Sequence, residues 1–129
     1  MAHIKHFILL IILVFLTACG SVPIQQETKT RFNTTNNPEL REISAVIISA
    51  GESLGWQMKQ TSVSRIEAIK MSGNEKVIID ITHKLNSYKI LYKSSMNMEY
   101  DAKKGQISRT YGRWIDELKN AINSKLSGM

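Results

Sequence analysis

The sequence holds few of the residues on which most enzymatic and metal chemistry depends. It has one cysteine, Cys19, in 129 residues, so an internal disulfide is excluded. Of its three histidines, only His83 lies beyond the first six residues. It has neither a glycine-rich phosphate-binding loop nor a carboxylate loop of the kind that binds calcium. The sequence therefore predicts no metal site and no cofactor.

A catalytic nucleophile and its base are also hard to assemble. Asp80 lies three residues before His83, and on a strand this spacing points the two side chains to opposite faces. A triad of His83 with Ser94 or Ser95 and Asp101 is not supported by any motif spacing. We predict that the protein is not an enzyme and has no catalytic residues. A serine or an aspartate packed against His83 would reopen that question.

The first residues have the pattern of an export signal. Lys5 is the only charged side chain of the short segment before an uninterrupted apolar run, residues 7–16. This run is too short for the roughly 20 apolar residues that a helix needs to span a bilayer. It is followed by small residues and then by the cysteine, in the order Leu16-Thr17-Ala18-Cys19. We predict a signal peptide over residues 1–18.

This ending resembles the lipobox of bacterial lipoproteins. The resemblance implies that Cys19 becomes the mature N-terminus and carries a diacylglycerol in thioether linkage, usually with a further acyl chain such as palmitate on its amine. Two or three acyl chains give a nearly permanent anchor, because each buried methylene contributes about 0.8 kcal/mol. Position 20 is glycine and not aspartate, and by analogy with the sorting of known lipoproteins this favours the outer membrane over the inner membrane. An ordinary secreted protein or an uncleaved N-terminal anchor is the alternative.

Positive charge predominates and is concentrated near the C-terminus. Without residues 1–18, 111 residues would remain, with 16 lysines and arginines against 11 acidic residues, a balance of +5. Residues 103–129 alone hold six basic and two acidic side chains. Such an excess favours anionic lipid headgroups, lipopolysaccharide phosphates or an acidic partner. A solvated helix face is the alternative, and nucleic acid is not expected as a partner of an exported protein.

Hydrophobic periodicity predicts a single domain over residues 38–129. Residues 19–37, which begin with the lipidated cysteine, are rich in glutamine, threonine and asparagine and are predicted to form a flexible tether. A coil of this length would hold the domain about 20 to 25 Å from the lipid. Asn37-Pro38-Glu39 has the composition of a helix start with Asn37 as cap, and apolar residues then recur at helical spacing as far as Gly55.

Alternating residues then predict an antiparallel meander of three or four strands. Segments 65–71 and 76–83 flank a turn at 72–75, a third segment covers 88–94, and a fourth strand would start near Trp56. After a polar loop, a C-terminal helix carries one apolar stripe, and we interpret Gly112 within it as a site of close packing. We therefore predict an α+β two-layer sandwich in the order helix, three- to four-stranded meander, helix, with both helices on one sheet face.

Aromatic and polar residues cluster between the last predicted strand and the C-terminal helix. The pattern Y-x-x-S-x-N-M-x-Y-D, followed by I-x-x-x-Y-x-x-W-I-x-x-L, is similar to that of small uncharacterised lipoproteins of Gram-negative bacteria, over about residues 54–126. The resemblance implies no activity and no catalytic residues. We predict a ligand groove beside this loop, with Tyr92, Asn97, Tyr100 and Arg109 as candidate binding residues. The alternative is that these side chains hold the loop in place.

Together these features predict a non-catalytic, lipid-anchored envelope protein that faces the periplasm and acts as a binding or assembly accessory module. Besides the membrane, its predicted partner is another envelope protein, bound through loop 95–101 or through the outer sheet face around Ile78 and Leu91. A small-ligand or lipid-binding lipoprotein is the alternative, which an enclosed apolar cavity would favour. The sequence leaves the oligomeric state open.

Overall fold

The computed structural model describes residues 20–129, so Cys19 and the predicted signal peptide lie outside the described residues. Residues 20–129 form two helices and seven strands. The helices are α1 (Leu40–Ser53) and α2 (Arg109–Leu126), and the strands are β1 (Ser21–Pro23), β2 (Glu27–Arg31), β3 (Gln57–Ser62), β4 (Arg65–Ser72), β5 (Glu75–His83), β6 (Ser87–Met96) and β7 (Gln106–Ser108). The predicted α+β class with a C-terminal helix is confirmed.

Five strands form one antiparallel sheet in the order β2-β6-β5-β4-β3. Strands β3 to β6 follow one another as the meander that the sequence predicts. The turn between β4 and β5 places Gly73 at φ 60°, a left-handed conformation that glycine adopts without steric cost. Strand β6 runs two residues beyond the prediction, to Met96, after an irregularity in its pairing with β5.

The fifth strand, β2, comes from the segment predicted to be a flexible tether, and for this segment the prediction is wrong. Thr28 and Thr30 are partly buried and alternate with exposed Glu27, Lys29 and Arg31. Threonine is β-branched and favours extended backbone, and every residue of β2 pairs with β6. A hydrophobicity pattern does not reveal this strand, because its inward residues are polar.

The N-terminal segment is held at a second point as well. Strand β1 pairs with β7 in a separate two-stranded sheet, and the Ile24 amide donates to the Gly105 carbonyl at 2.9 Å. The folded unit therefore starts before residue 38, which the sequence predicts as its boundary. Its first strand begins at Ser21.

Helix α1 packs on the inner face of the sheet through Ile43, Ile47 and Ala50, all of which are fully buried. The predicted cap, Asn37, is wrong, because the helix begins at Leu40 and its cap residue is Glu39. A cap residue needs extended backbone, and Glu39 has it with φ −79° and ψ 161°. Asn37 is instead left-handed, with φ 47°.

Helix α2 carries the apolar stripe that the sequence predicts. Ser108 caps it, and the Ser108 hydroxyl accepts a hydrogen bond from the Thr110 amide at 3.3 Å. The helix packs beside α1. It also contacts β6, where the Tyr88 hydroxyl donates to the Asn123 side-chain oxygen at 2.6 Å. Neither helix of residues 20–129 has the length and hydrophobicity needed to cross a membrane. The buried stripe consists of Tyr111, Trp114, Ile115, Leu118, Ile122 and Leu126.

The interpretation of Gly112 as a site of close packing is wrong. A Cβ atom added at Gly112 would meet no neighbouring atom of residues 20–129 within 4 Å, so among these residues this part of α2 faces open space. A Cβ atom added at Gly51, near the end of α1, would instead overlap the Met58 side chain. The close approach that requires a glycine therefore lies at Gly51.

Gly112→Ala is expected to raise the free energy of unfolding by about 0.5–1 kcal/mol, because alanine favours the helix and restricts the unfolded chain. Gly51→Ala is the matched control, since it offers the same gain in helix propensity but must displace Met58. Urea unfolding followed by circular dichroism measures both variants. A loss of stability in Gly112→Ala, or an equal gain in both variants, would contradict this account of the two glycines.

Candidate functional site

The four residues that the sequence identifies as binding candidates do not form one site. The rings of Tyr92 and Tyr100 lie together, with centroids 4.7 Å apart. The Asn97 side-chain amide instead donates to the Asn74 carbonyl at 2.7 Å and so fastens the loop to the β4–β5 turn. Arg109 is exposed at the first position of α2. The structure thus brings the two tyrosines together, ties Asn97 to a turn and leaves Arg109 in solvent.

The loop that carries these candidates is covered by the N-terminal segment. The Ser21 hydroxyl donates to the Glu99 carboxylate at 3.3 Å, and the Gln26 amide donates to the Tyr100 hydroxyl at 3.1 Å. Met98 between them is buried. These contacts use the polar groups of the loop to hold it in place, so they favour the structural alternative over a ligand groove.

Ser44 is packed against His83, a contact that the sequence does not predict. Ser44 of α1 is 1% exposed and His83 is 4% exposed, and the Ser44 hydroxyl lies 2.6 Å from Nε2 of the ring. The periodicity of the sequence indicates that both side chains point into the core. Ser44 precedes buried Ile47 by three residues on a helix, and His83 follows Ile81 by two residues on a strand. A buried serine beside a histidine reopens the question of catalysis.

The hydrogen-bond geometry argues against a nucleophile and its base. The Ser44 hydroxyl lies 3.2 Å from the Val63 carbonyl, which only accepts, and 3.2 Å from the Gln60 amide nitrogen, which only donates. A hydroxyl donates one hydrogen bond and accepts two. All contacts are therefore satisfied when Ser44 donates to Val63 and accepts from Gln60 and from the Nε2 hydrogen of His83. In this tautomer of His83, Nε2 holds a proton and is not a base toward Ser44.

The second ring nitrogen of His83, Nδ1, is buried and has no hydrogen-bond partner within residues 20–129. Burial lowers the pKa of His83 below its ordinary value, because the charged ring would lose its water. The backbone of Lys84 opposes part of this effect without reaching hydrogen-bond geometry with Nδ1. At neutral pH His83 is therefore an uncharged, buried group.

An open cleft of about 650 Å³ lies beside His83, between the β3–β4 turn and the β5–β6 turn. Its lining is composed of hydroxyl-bearing and cationic side chains, with one histidine and no carboxylate. None of the four sequence-predicted binding residues belongs to it. The lining residues are Thr61, Ser62, Ser64, Arg65, Thr82, His83, Lys84, Ser87, Tyr88 and Lys89.

The cleft continues onto the outer face of the sheet as a row of cations. Across β4, β5, β6 and β2 the successive neighbours are Arg65, Thr82, Lys89 and Lys29, and all but the threonine are cationic. Lys89 also forms an ion pair with Glu27 at 3.2 Å. The register of the sheet therefore gathers positive charge from three separate strands at one end of the molecule.

The other end of the outer face is apolar. Met71 and Met96 flank Lys76 across the sheet and are each 59% exposed. Ile69 and Ile78, which pair with each other on β4 and β5, are half-buried beside them. These four apolar residues, Ile69, Met71, Ile78 and Met96, form the outer-face patch.

No protein-family model matches the chain, and no curated protein is significantly similar to it. Within residues 20–129 no group of three or more histidine, cysteine, aspartate or glutamate side chains is arranged to hold a metal ion. The cleft, the outer-face patch and the N-terminal entry of the chain into the fold are therefore the features that bear on function.

Acidification from neutral pH to below about pH 6.5 is expected to destabilise the protein through His83. Because the pKa of His83 is lowered in the folded state, the unfolded chain takes up the proton first, and stability falls as the pH drops below the unfolded value. His83→Gln removes this titration, so its unfolding free energy should change less over the same interval. Urea unfolding at several pH values measures both proteins, and parallel curves would contradict this role of His83.

Proposed function

We propose that this protein is a non-catalytic module, anchored in the bacterial envelope by lipid on Cys19, that binds another envelope component. The observation that carries the proposal is the junction between the predicted lipobox and the fold. Strand β1 starts at Ser21, two residues after Cys19, and is paired with β7. A lipid at Cys19 would thus join the domain directly and leave its core undisturbed. Gly20 favours an anchor in the outer membrane, with the domain facing the periplasm.

Such an anchor would hold the domain close to the membrane. Cys19 and Ser21 are separated by two residues, a span of at most about 7 Å, and Ser21 is the partner of Ser108 at the start of α2. A flexible tether would have allowed about 20 to 25 Å. The end of the domain that carries β1 and β7 would therefore lie against the headgroups. Exposed Lys103 and Lys104, which immediately precede β7, would favour anionic lipids there.

The outer sheet face is the surface best suited to a protein partner. The two helices cover the inner face, and the N-terminal segment covers loop 95–101 through Ser21 and Gln26. On the outer face, Lys93 lies 3.1 Å from Glu67 and 3.6 Å from Asp80, so the charges in the middle of the sheet are paired with one another. The outer-face patch beside them has no such internal partner among the described residues.

The chemistry of the outer-face patch indicates what would bind it. Met71 and Met96 are flexible and polarizable, and exposed methionines adapt to the shape of an apolar partner. Lys76 lies between them and forms no ion pair within residues 20–129. An envelope protein that presents apolar side chains around a carboxylate would therefore complement the patch.

A small-ligand-binding lipoprotein is the second candidate, and the cleft beside His83 favours it. The cleft is open and lined by polar side chains, so a polar ligand suits it better than an acyl chain. Catalysis receives no support from Ser44 and His83, because the Ser44 hydroxyl is held by three hydrogen-bond contacts and both side chains are buried.

Cys19→Ala is expected to abolish the incorporation of labelled palmitate and to release the protein from the membrane fraction. Ser21→Ala is the matched control, since it keeps the cysteine and removes only the exposed hydrogen bond to Glu99. Metabolic labelling followed by fractionation of the envelope measures both. Label that persists in Cys19→Ala, or that is absent from the wild type, would remove the lipid anchor from the proposal.

A photo-crosslinking amino acid placed at Met96 is expected to give one adduct of discrete mass in intact cells, because Met96 belongs to the outer-face patch. Placed at Leu85, which is similarly exposed at 57% but lies in the β5–β6 turn, it should give none. Ile78→Lys should abolish the adduct at Met96 by adding an unpaired charge to the patch. Equal adducts at both positions, or an adduct insensitive to Ile78→Lys, would exclude the patch as the docking surface.

A further inference from the structure

We propose that the cleft beside His83 binds the phosphate group of a soluble ligand. This proposal does not depend on the lipid anchor or on the outer-face patch. The cleft lies at one end of the sheet and is formed by residues of β3, β4, β5 and β6 and the turns that join them. Its volume of about 650 Å³ falls within the range of small-molecule sites and leaves room for an organic group beside the phosphate.

The charges of the cleft are all of one sign. Arg65, Lys84 and Lys89 line it, and none of its lining residues is acidic. Lys89 is paired with Glu27, but within residues 20–129 no carboxylate lies within 4.0 Å of the charged groups of Arg65 or Lys84. Arginine offers a planar fork of donors and lysine a compact charge, and both bind phosphate oxygens strongly. Two cations at the cleft are thus available to an anion.

The sheet register brings further positive charge to this end. Lys29 on β2 stands directly opposite Lys89 on β6, and like charges directly opposite each other destabilise a pair of strands. The next charged residue of β2, Arg31, stands opposite Ser87 of the cleft. Glu27 offsets part of this repulsion through its ion pair with Lys89, and a bound dianion would offset more of it, so the arrangement favours an anionic ligand.

Hydroxyl groups and a buried imidazole complete the lining. Ser62, Ser64 and Thr82 provide hydroxyls that can donate to phosphate oxygens. His83 forms part of the wall, although it is almost wholly buried, and its Nδ1 has no hydrogen-bond partner. A neighbouring anion would favour the protonated ring and so give this unused nitrogen a charge to contribute. The cleft therefore contains both fixed cations and a group that responds to an anion.

The position of the cleft favours a soluble ligand over the headgroups of the anchoring membrane. Strand β6 runs from Ser87, which lines the cleft, to Met96, which precedes the loop that contacts Ser21. This strand has ten residues, and at about 3.3 Å for each residue it spans about 30 Å. The cleft thus lies at the end of the sheet remote from the point where the chain leads to Cys19.

Inorganic phosphate is the probe for this site, titrated into the ¹⁵N-labelled full chain in detergent at constant ionic strength, with chloride as the reference anion. Saturable shifts of backbone amide signals are expected at 62–65, 82–84 and 87–89, and not elsewhere. Arg65→Gln with Lys84→Gln should raise the Kd for phosphate at least about tenfold, since charge-assisted hydrogen bonds are lost. Arg113→Gln with Lys125→Gln is the matched control, because it removes one arginine and one lysine charge from exposed positions of α2 that do not line the cleft.

Shifts that do not saturate, or a Kd that changes equally in the two double variants, would overturn the proposal in favour of nonspecific attraction. Both double variants alter exposed side chains, and unchanged thermal unfolding verifies that they fold. A second arm mixes phosphatidylcholine vesicles that carry the full chain with protein-free phosphatidylglycerol vesicles. Vesicle aggregation that depends on Arg65 and Lys84 would show that the cleft binds headgroups of another membrane. It would overturn the proposal that the ligand is soluble. Saturable phosphate binding without such aggregation would support a soluble ligand.

Discussion

The burial of every second side chain of β5 beneath the helices is the constraint on which the rest of the structure depends. Strand β5 lies in the middle of the sheet, and Val77, Ile79 and Ile81 are fully buried on its inner face. His83 has the same parity and is carried into the interior with them, where Ser44 of α1 meets it. The polar contact is therefore a consequence of strand alternation. The unpartnered Nδ1 and the lowered pKa of His83 follow from it.

Those parts of the fold that depend on local pattern could be predicted from the sequence. The meander from β3 to β6 follows from alternation of period two and from the turn at Gly73, and α2 follows from its apolar stripe and its cap at Ser108. The α+β class follows from the order of these elements. In each case the decisive residues lie within one element or one turn, so a single stretch of sequence contains the whole signal.

Features that depend on distant partners could not be predicted. Strand β2 has threonines on its inward side, and only its pairing with β6 makes it a strand. Gly112 has the same appearance in sequence whether a neighbour lies over it or not. The cleft combines Arg65 with Lys84 through the cross-strand register of β4, β5 and β6, which composition does not reveal. For the same reason the sequence predicts a groove position for Asn97, although its partner is the carbonyl of Asn74 in another turn.

The segment before α1 runs along the sheet from one end to the other. It enters beside loop 95–101, where Ser21 contacts Glu99, and then runs antiparallel to β6 as β2. Because of this direction, β2 ends opposite Ser87 and adds Lys29 and Arg31 to the cationic end. A tether in the same place would leave the attachment point and the cleft independent of each other. A paired strand instead fixes them at opposite ends of one rigid sheet, so a domain anchored through this segment would present its cleft away from the anchor.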